Sequence, residues 1–413
     1  MTTVCVFEDD GWRGLLPFTW LHPCWDLVTG THTILSRVKE AFPDSQIQAL
    51  CRPWMQTVVQ ERGGLPILTG GGQTLFVNGR IVDACPVVRL AREIPGPFAL
   101  WCGDAVAAFR IDDVPPRLPF PDHVTDWVRG LDLPGMSSDA RLFRRWWDLL
   151  SHSGDILAED LRQRPLGIYE GTIMPGVHLL DPARVYVGPA AVVDPGVVID
   201  SRQGAVVIER GARIGTGSLI SGPAFLARDT LVKPLSQIGP DVSIGPSCRV
   251  GGEVARTVFL GYGNKQHHGF LGHAYVGNWT NLGAGTTNSN LKNTYGHVKV
   301  WADGRMEDSG LTFLGCAIGD HAKTAINTTL NTGTVIGTSA NVFSRGFPPK
   351  FVPSFGWGPA PNQEFDLRSA LLTAARVMER RGIEFTPAEA ALMTEVWDRT
   401  IPERHAGEGG GAE

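Results

Sequence analysis

Long apolar runs are missing from this chain: none of its 413 residues falls in a stretch approaching the ~18 needed to cross a bilayer, which argues against a membrane span. Charge is scarce as well. Only 19% of residues are charged, the net charge is −5 and no basic cluster occurs, so no nucleic-acid partner is expected. The seven cysteines include no Cys-x-x-Cys pair. An odd, scattered set suits the reduced thiols of a cytoplasm better than a disulfide framework or a zinc cage. Glu8, Asp9 and Asp10 precede any hydrophobic stretch of signal length, so no secretory signal is expected and the reading is cytoplasmic.

Glycine, by contrast, is abundant. Fifty glycines fit a turn-rich solenoid better than a helical enzyme. Ile208, Ile214, Ile220, Leu226, Val232, Ile238, Ile244 and Val250 recur every six residues and are all aliphatic. That period is the signature of a parallel β-helix of hexapeptide repeats, each hexad giving one short strand and one turn. Val187, Val193 and Ile199 extend it upstream, with the register lost across Ser201–Gly204; Val276, Leu282, Ile318, Thr324, Leu330, Ile336 and Val342 extend it downstream. The breaks from Val250 to Val276 and from Asn288 to Ile318 read as loops on a rigid scaffold, where function is often carried. The solenoid should span 185–345 in about seven to nine coils of about 18 residues.

Around it, residues 1–120 read as an α/β domain. Thr3–Phe7, Gln46–Leu50, Leu75–Val77 and Phe98–Trp101 are its expected strands, and Ile34–Phe42 has helical spacing. Residues 121–184 form a Pro-broken linker with a helix over Asp139–Leu150, where Trp146 and Trp147 are expected to pack. Residues 346–405 should be a helical cap, with helices near 364–381 and 387–398 covering the open strand edges of the last coil. The Gly-rich tail 406–413 is expected to be disordered.

Side-chain chemistry concentrates between Glu253 and Lys299. Four of the eleven histidines lie between 267 and 297, beside Asn281-Leu282-Gly283-Ala284-Gly285-Thr286 and Asn288-Ser289-Asn290-Leu291-Lys292. Imidazole titrates near neutrality and a carboxylate raises its basicity. Glu253 precedes His267 by close to one coil, so the two should meet on adjacent coils. The plainer reading makes these histidines solvated loop residues.

This stretch resembles the acetyltransferase half of the bifunctional N-acetylglucosamine-1-phosphate uridylyltransferase/glucosamine-1-phosphate acetyltransferase family. The resemblance implies a left-handed β-helix assembled as a homotrimer. It implies His267 as catalytic base, Glu253 as its carboxylate partner, and Asn281 and Asn290 as sugar- and acetyl-contacting residues. Phe270 replaces a family tyrosine, and Arg256 stands beside Ala255, where the family has a lysine; with Lys292 they would complete the substrate contacts. Arg345 would face the phosphates of acetyl-CoA, and Lys350, near the last coil, could serve coenzyme binding or assembly equally well.

Asp10-Gly11-Trp12-Arg13-Gly14-Leu15-Leu16-Pro17-Phe18-Thr19 resembles the phosphate loop of nucleotidyltransferases, which presents backbone N–H groups and an arginine to a triphosphate. The resemblance implies nucleotide binding by Gly11, Arg13, Gly14 and Asn78, with Mg²⁺ as a possible cofactor. Cys24 replaces the lysine expected after Pro23, and Arg80 stands where the metal-binding carboxylate of Asn-Gly-Asp belongs, leaving Asp83 or Asp104 as substitutes. Whole-chain architecture resembles a divergent bacterial branch of the bifunctional family, through the stretches at 15–19, 290–293 and 346–351.

The expected function is therefore acetyl-CoA-dependent N-acetyl transfer to an amino-sugar phosphate in the β-helix, with nucleotidyl transfer to a sugar 1-phosphate in the N-terminal domain. Three alternatives stay open. One makes the N-terminal domain an inactive sugar-nucleotide binder, and another makes the chain a non-catalytic trimeric scaffold. His268 and His273 also share the five-residue spacing of β-helix carbonic anhydrases, with His297 as a third zinc ligand.

Overall fold

A computed structural model describes residues 3–118, 121–137, 140–358 and 363–405; the expected disordered tail lies outside the described residues. The chain divides into two compact units. One comprises residues 1–27, 32–146 and 386–395, the other 28–31, 147–385 and 396–413.

The first unit is built on a six-stranded sheet ordered 46–50, 3–7, 74–78, 105–111, 98–102, 135–137. Thr3–Phe7 lies parallel to both Gln46–Leu50 and Thr74–Asn78. Ala105–Ile111 runs antiparallel to its neighbours, and Gly135–Ser137 joins the edge, so the sheet reaches past residue 120. Val4 to Phe7 are fully buried, as a strand covered on both faces requires. Phe76 stacks on Phe109 at 4.3 Å with Phe7 edge-on to both. Helix Ile34–Ala41 starts where Thr33 Oγ1 accepts from the N–H of Ser36, a standard N-cap. The helix expected over Asp139–Leu150 is shorter. It runs from Trp146 to Ser151 and is followed by Ser153–Arg162, while Leu142 bridges to Ile81 in extended form.

The second unit is a parallel β-helix. Three sheets form its faces, two of nine strands and one of six, every ladder between coils parallel. The chain visits them in fixed rotation: Val185–Val187, Val192–Val193, Val198–Asp200, then the first face again at Val206–Ile208. All eight period-six aliphatics are at most 1% exposed and share one core. The coils begin upstream of residue 185, with Thr172–Ile173 and His178–Leu180 already paired to the next coil.

Of the two expected loops, one is a loop and one is not. Residues 289–315 leave the stack and carry the hairpin Lys299–Ala302/Arg305–Asp308. Between Val250 and Val276 the coils continue without a break. Val250 pairs with Lys265, fifteen residues on, and Val254 with Leu271, seventeen on. These coils shorten at their turns, which breaks the period while preserving the stack. The C-terminal helices Leu367–Glu379 and Pro387–Arg399 form near the expected places, but Leu367–Glu379 does not cap the coil end. Arg381, just beyond it, donates to the Ser247 carbonyl and to Asn264 Oδ1, in the middle of the stack. Arg404 of Ile401–His405 instead reaches Ser354 O, next to the last coil strand.

Candidate functional site

Two corners of the prism carry the chemistry, one at each end of strand Phe270–Gly272. At the first, residues 266–269 turn between Asn264–Lys265 and Phe270–Gly272. Gly252, Gly269 and Gly285 all take positive φ at this corner on successive coils, where glycine carries no steric penalty. Gly269 is held close: a Cβ there would lie 2.1 Å from the Thr286 carbonyl. His267 is exposed on the turn and Glu253 exposed one coil away, its N–H bonded to Gly269 O at 3.2 Å. No hydrogen bond or ion pair joins the two side chains among the described residues.

Beneath this turn sits Lys265, which the sequence reading missed. It occupies the inward row of Val232 and Val250 and is 2% exposed. Its Nζ donates to the carbonyls of Gly251 at 2.7 Å and His267 at 3.1 Å. Burial pushes the ammonium down to about 8, against the opposing pull of Glu253. A cation in an aliphatic row was the available signal, because such a group stays buried only when its protons find acceptors.

At the other end of the strand lie Arg256, His273 and Asn290. Asn290 Nδ2 is 2.9 Å from His273 Nδ1, and the His273 ring stacks on Phe313 at 5.5 Å. Arg256 Nε is 3.3 Å from Asp241 Oδ2. Burial, then the Arg256 charge, lowers His273 to about 4. Asn288 fixes the strand end by accepting from Gly272 N–H and donating to its carbonyl. The residues expected around His267 are thus divided between corners: Glu253 stays with His267, whereas Arg256 and Asn290 are engaged elsewhere.

The remaining expected residues scatter further. Asn281 is exposed at the start of the adjoining face, with Oδ1 3.4 Å from Asn264 Nδ2. Lys292 donates to the His297 carbonyl inside the 289–315 insertion. Arg345 lines an open depression of about 880 Å³ with Phe343, Ser344, Phe347 and Pro348. Lys350 is absent from that lining; its ammonium bonds to Thr332 O, and burial with the nearby Lys292 charge lowers it. The three histidines of the zinc alternative do not converge. His297 faces Asp308 at 3.4 Å, His273 is held by Asn290, and no group of three or more His, Cys, Asp or Glu is placed to hold a metal among the described residues.

In the first unit, Glu8 and Asp9 of the acidic run after strand Thr3–Phe7 are saturated from within, while Asp10 is exposed. Glu8 takes Arg52 at 3.0 Å, both side chains fully buried. Asp9 takes Arg80 Nε at 2.7 Å and Nη2 at 2.6 Å, and Asn78 Nδ2 at 2.8 Å. Gly11 makes room for this: a Cβ would lie 2.2 Å from Arg80 Cζ. Gly14 abuts the Arg144 carbonyl, 1.9 Å from where its Cβ would be. Arg13 forms a two-pronged pair with Asp122. The donor set does not fit Mg²⁺: Asp9 has both oxygens committed to a guanidinium, and that fixed positive charge would repel a cation. Neither Asp83 nor Asp104 belongs to a group of three or more His, Cys, Asp or Glu placed to hold a metal among the described residues.

Comparison with known proteins puts this geometry in context. Residues 4–164 match the sugar nucleotidyl transferase family. The chain is similar to the "Bifunctional protein GlmU" of Nostoc sp., 27% identical over 207 residues, 45% of this chain and 42% of that protein. It is also similar to the "Bifunctional sugar-1-phosphate nucleotidylyltransferase/acetyltransferase" of Sulfurisphaera tokodaii, 32% identical over 143 residues, 34% of this chain and 36% of that protein. The matches span less than half the length of these relatives. A solved UDP-N-acetylglucosamine acyltransferase of Francisella novicida is 15% identical, covers 58% of this chain and 86% of its own, and superposes with a TM-score of 0.29. That superposition adds nothing to the β-helix defined above by its hydrogen bonding.

Proposed function

We propose that the β-helix unit is an acyltransferase of sugar-nucleotide metabolism, moving an acetyl group from acetyl-CoA to the amine of an amino-sugar phosphate. The observation that carries this is the 266–269 turn. A buried ammonium clamps its backbone from below, and an exposed imidazole and carboxylate stand on adjacent coils above. His267 takes the proton from the attacking amine, and Glu253 across the groove steadies the imidazolium that forms. The amine nitrogen bonds to the thioester carbon, and collapse of the tetrahedral intermediate expels the coenzyme thiolate. Turn N–H groups at this corner donate to the oxyanion. Phe270 brings no hydroxyl to the acceptor, and the open depression at Arg345 has room for a coenzyme chain. The bifunctional relatives support this reading, and assembly as a homotrimer would close the corner with a neighbouring copy. A cytoplasmic setting agrees with the six described cysteines being free and with the absence, among the described residues, of a helix able to cross a membrane.

For residues 4–164 the reading is a domain that does not transfer nucleotides. The Asp9–Arg80 pair supports it, since it occupies the turn beyond the parallel strands where ligands of such sheets usually bind. The test is turnover of acetyl-CoA with glucosamine 1-phosphate, followed by thiol release. His267→Ala should lower the rate by about 10²–10⁴ with the oligomeric state unchanged. Undiminished turnover in that variant would remove the assignment.

A further inference from the structure

The corner holding His273 encloses a cavity that the acyl-transfer reading does not use. Asp241, Arg256 and His273 occupy the same left-handed turn position on successive coils, with φ of 56, 49 and 51°. The N–H groups of Arg256 and His273 bond to Pro240 O and Ala255 O of the preceding coil, so the three side chains leave the prism as a column. Opposite them lie Ser153 and Gly154, the first residues of helix Ser153–Arg162. Leu311, Phe313 and Leu314 of the insertion supply an apolar wall, and the space between measures about 210 Å³. Ser153 is 4% exposed and lines this space.

We propose that this cavity binds an uncharged polyhydroxylated ring of monosaccharide size, as a site separate from the His267 corner. Size removes the larger candidates: pockets for drug-sized ligands run to about 300–1,000 Å³, so neither a nucleotide nor a coenzyme fits. Charge removes the ionic ones. Arg256 and Asp241 form a neutral pair at 3.3 Å, so an anion would meet the carboxylate and a cation the guanidinium. Two adjacent hydroxyls satisfy both, one oxygen accepting from Arg256 while its neighbour's O–H donates to Asp241. With the Asn290 amide donating to Nδ1, the His273 ring proton sits on Nε2 and is available to a third oxygen. The C–H face of such a ring then rests on Leu311, Leu314 and Phe313.

Calorimetric titration of the full chain with glucose, galactose and mannose tests this, with glucose 6-phosphate and glucosamine as charged comparisons. At least one neutral sugar should bind, and the charged analogue of the same ring should bind more weakly. Asp241→Asn and Arg256→Met should each weaken binding by about tenfold. Arg256→Met is the safer variant for folding, because its half-exposed charge is screened by solvent. His267→Ala should leave the sugar affinity unchanged, which separates this site from the acyl-transfer corner. The proposal is overturned if no neutral sugar binds at about 50 mM, a limit of roughly 2 kcal/mol. It is equally overturned if the charged analogues bind as well as the neutral ring, or if Arg256→Met binds like the wild type.

Discussion

The acidic turn of the first unit and the corner column of the second use the same side chains to opposite ends. Asp9 meets Arg80 with the two side chains 0% and 5% exposed; Asp241 meets Arg256 with 30% and 51% exposed. In the first, every polar atom of the carboxylate is taken by the chain itself, and the glycines that resemble a phosphate loop serve to admit Arg80 and the Arg144 backbone. In the second, the pair is half-exposed and borders a cavity. Resemblance of motif therefore does not locate chemistry. What locates it is whether the polar groups are left with bonds to make.

The sharpest way to break this contrast is to remove one partner from each pair. Arg80→Met leaves Asp9 buried without its counter-charge and should cost about 3–5 kcal/mol, read by urea unfolding of the first unit. Gly14→Ala drives a Cβ into the Arg144 carbonyl, which belongs to backbone and cannot swing aside; a loss of about 1–3 kcal/mol is expected in the same assay. Near-wild-type stability in either variant would mean that the turn can open. Acid sensitivity comes next. His273 is held at about 4 by burial and then by Arg256, below the value near 6.5 of an unfolded histidine. As pH falls between these values the unfolded chain takes up the proton first, so stability is lost across that window and fully present above it. His273→Gln should lose less stability from pH 6.5 to 4 than the wild type, and an unchanged slope would show that the imidazole is not desolvated. Smallest should be Arg256→Met, below about 1 kcal/mol, because a half-exposed pair is screened by solvent.

How much of this was readable beforehand follows the same physics. The coil core was legible because each inward residue is set by a local hexad, and Ile208 through Val250 all fall in one buried cluster. The stretch after Val250 was misread as a loop because coils shorten at their turns, shifting the phase to Val254, Phe259 and Lys265. Strands Thr3–Phe7 and Gln46–Leu50 were placed to the residue, since an apolar run between turn signals is a local pattern. Partnerships were not legible. Asp9 and Arg80 lie 71 residues apart, His273 and Asn290 seventeen, and Ser153 comes to the coil corner from a preceding helix. A motif can name such residues but cannot say which of them saturate one another. The substitution of Arg80 for an expected carboxylate was visible; that it would seal Asp9 was not.

Separate titrations of the whole chain with acetyl-CoA and with UTP in the presence of Mg²⁺ test the central contrast most directly. Saturable binding of acetyl-CoA and no detectable binding of the magnesium nucleotide is the predicted result. Tight binding of magnesium UTP, with acetyl-CoA failing to bind, would contradict it.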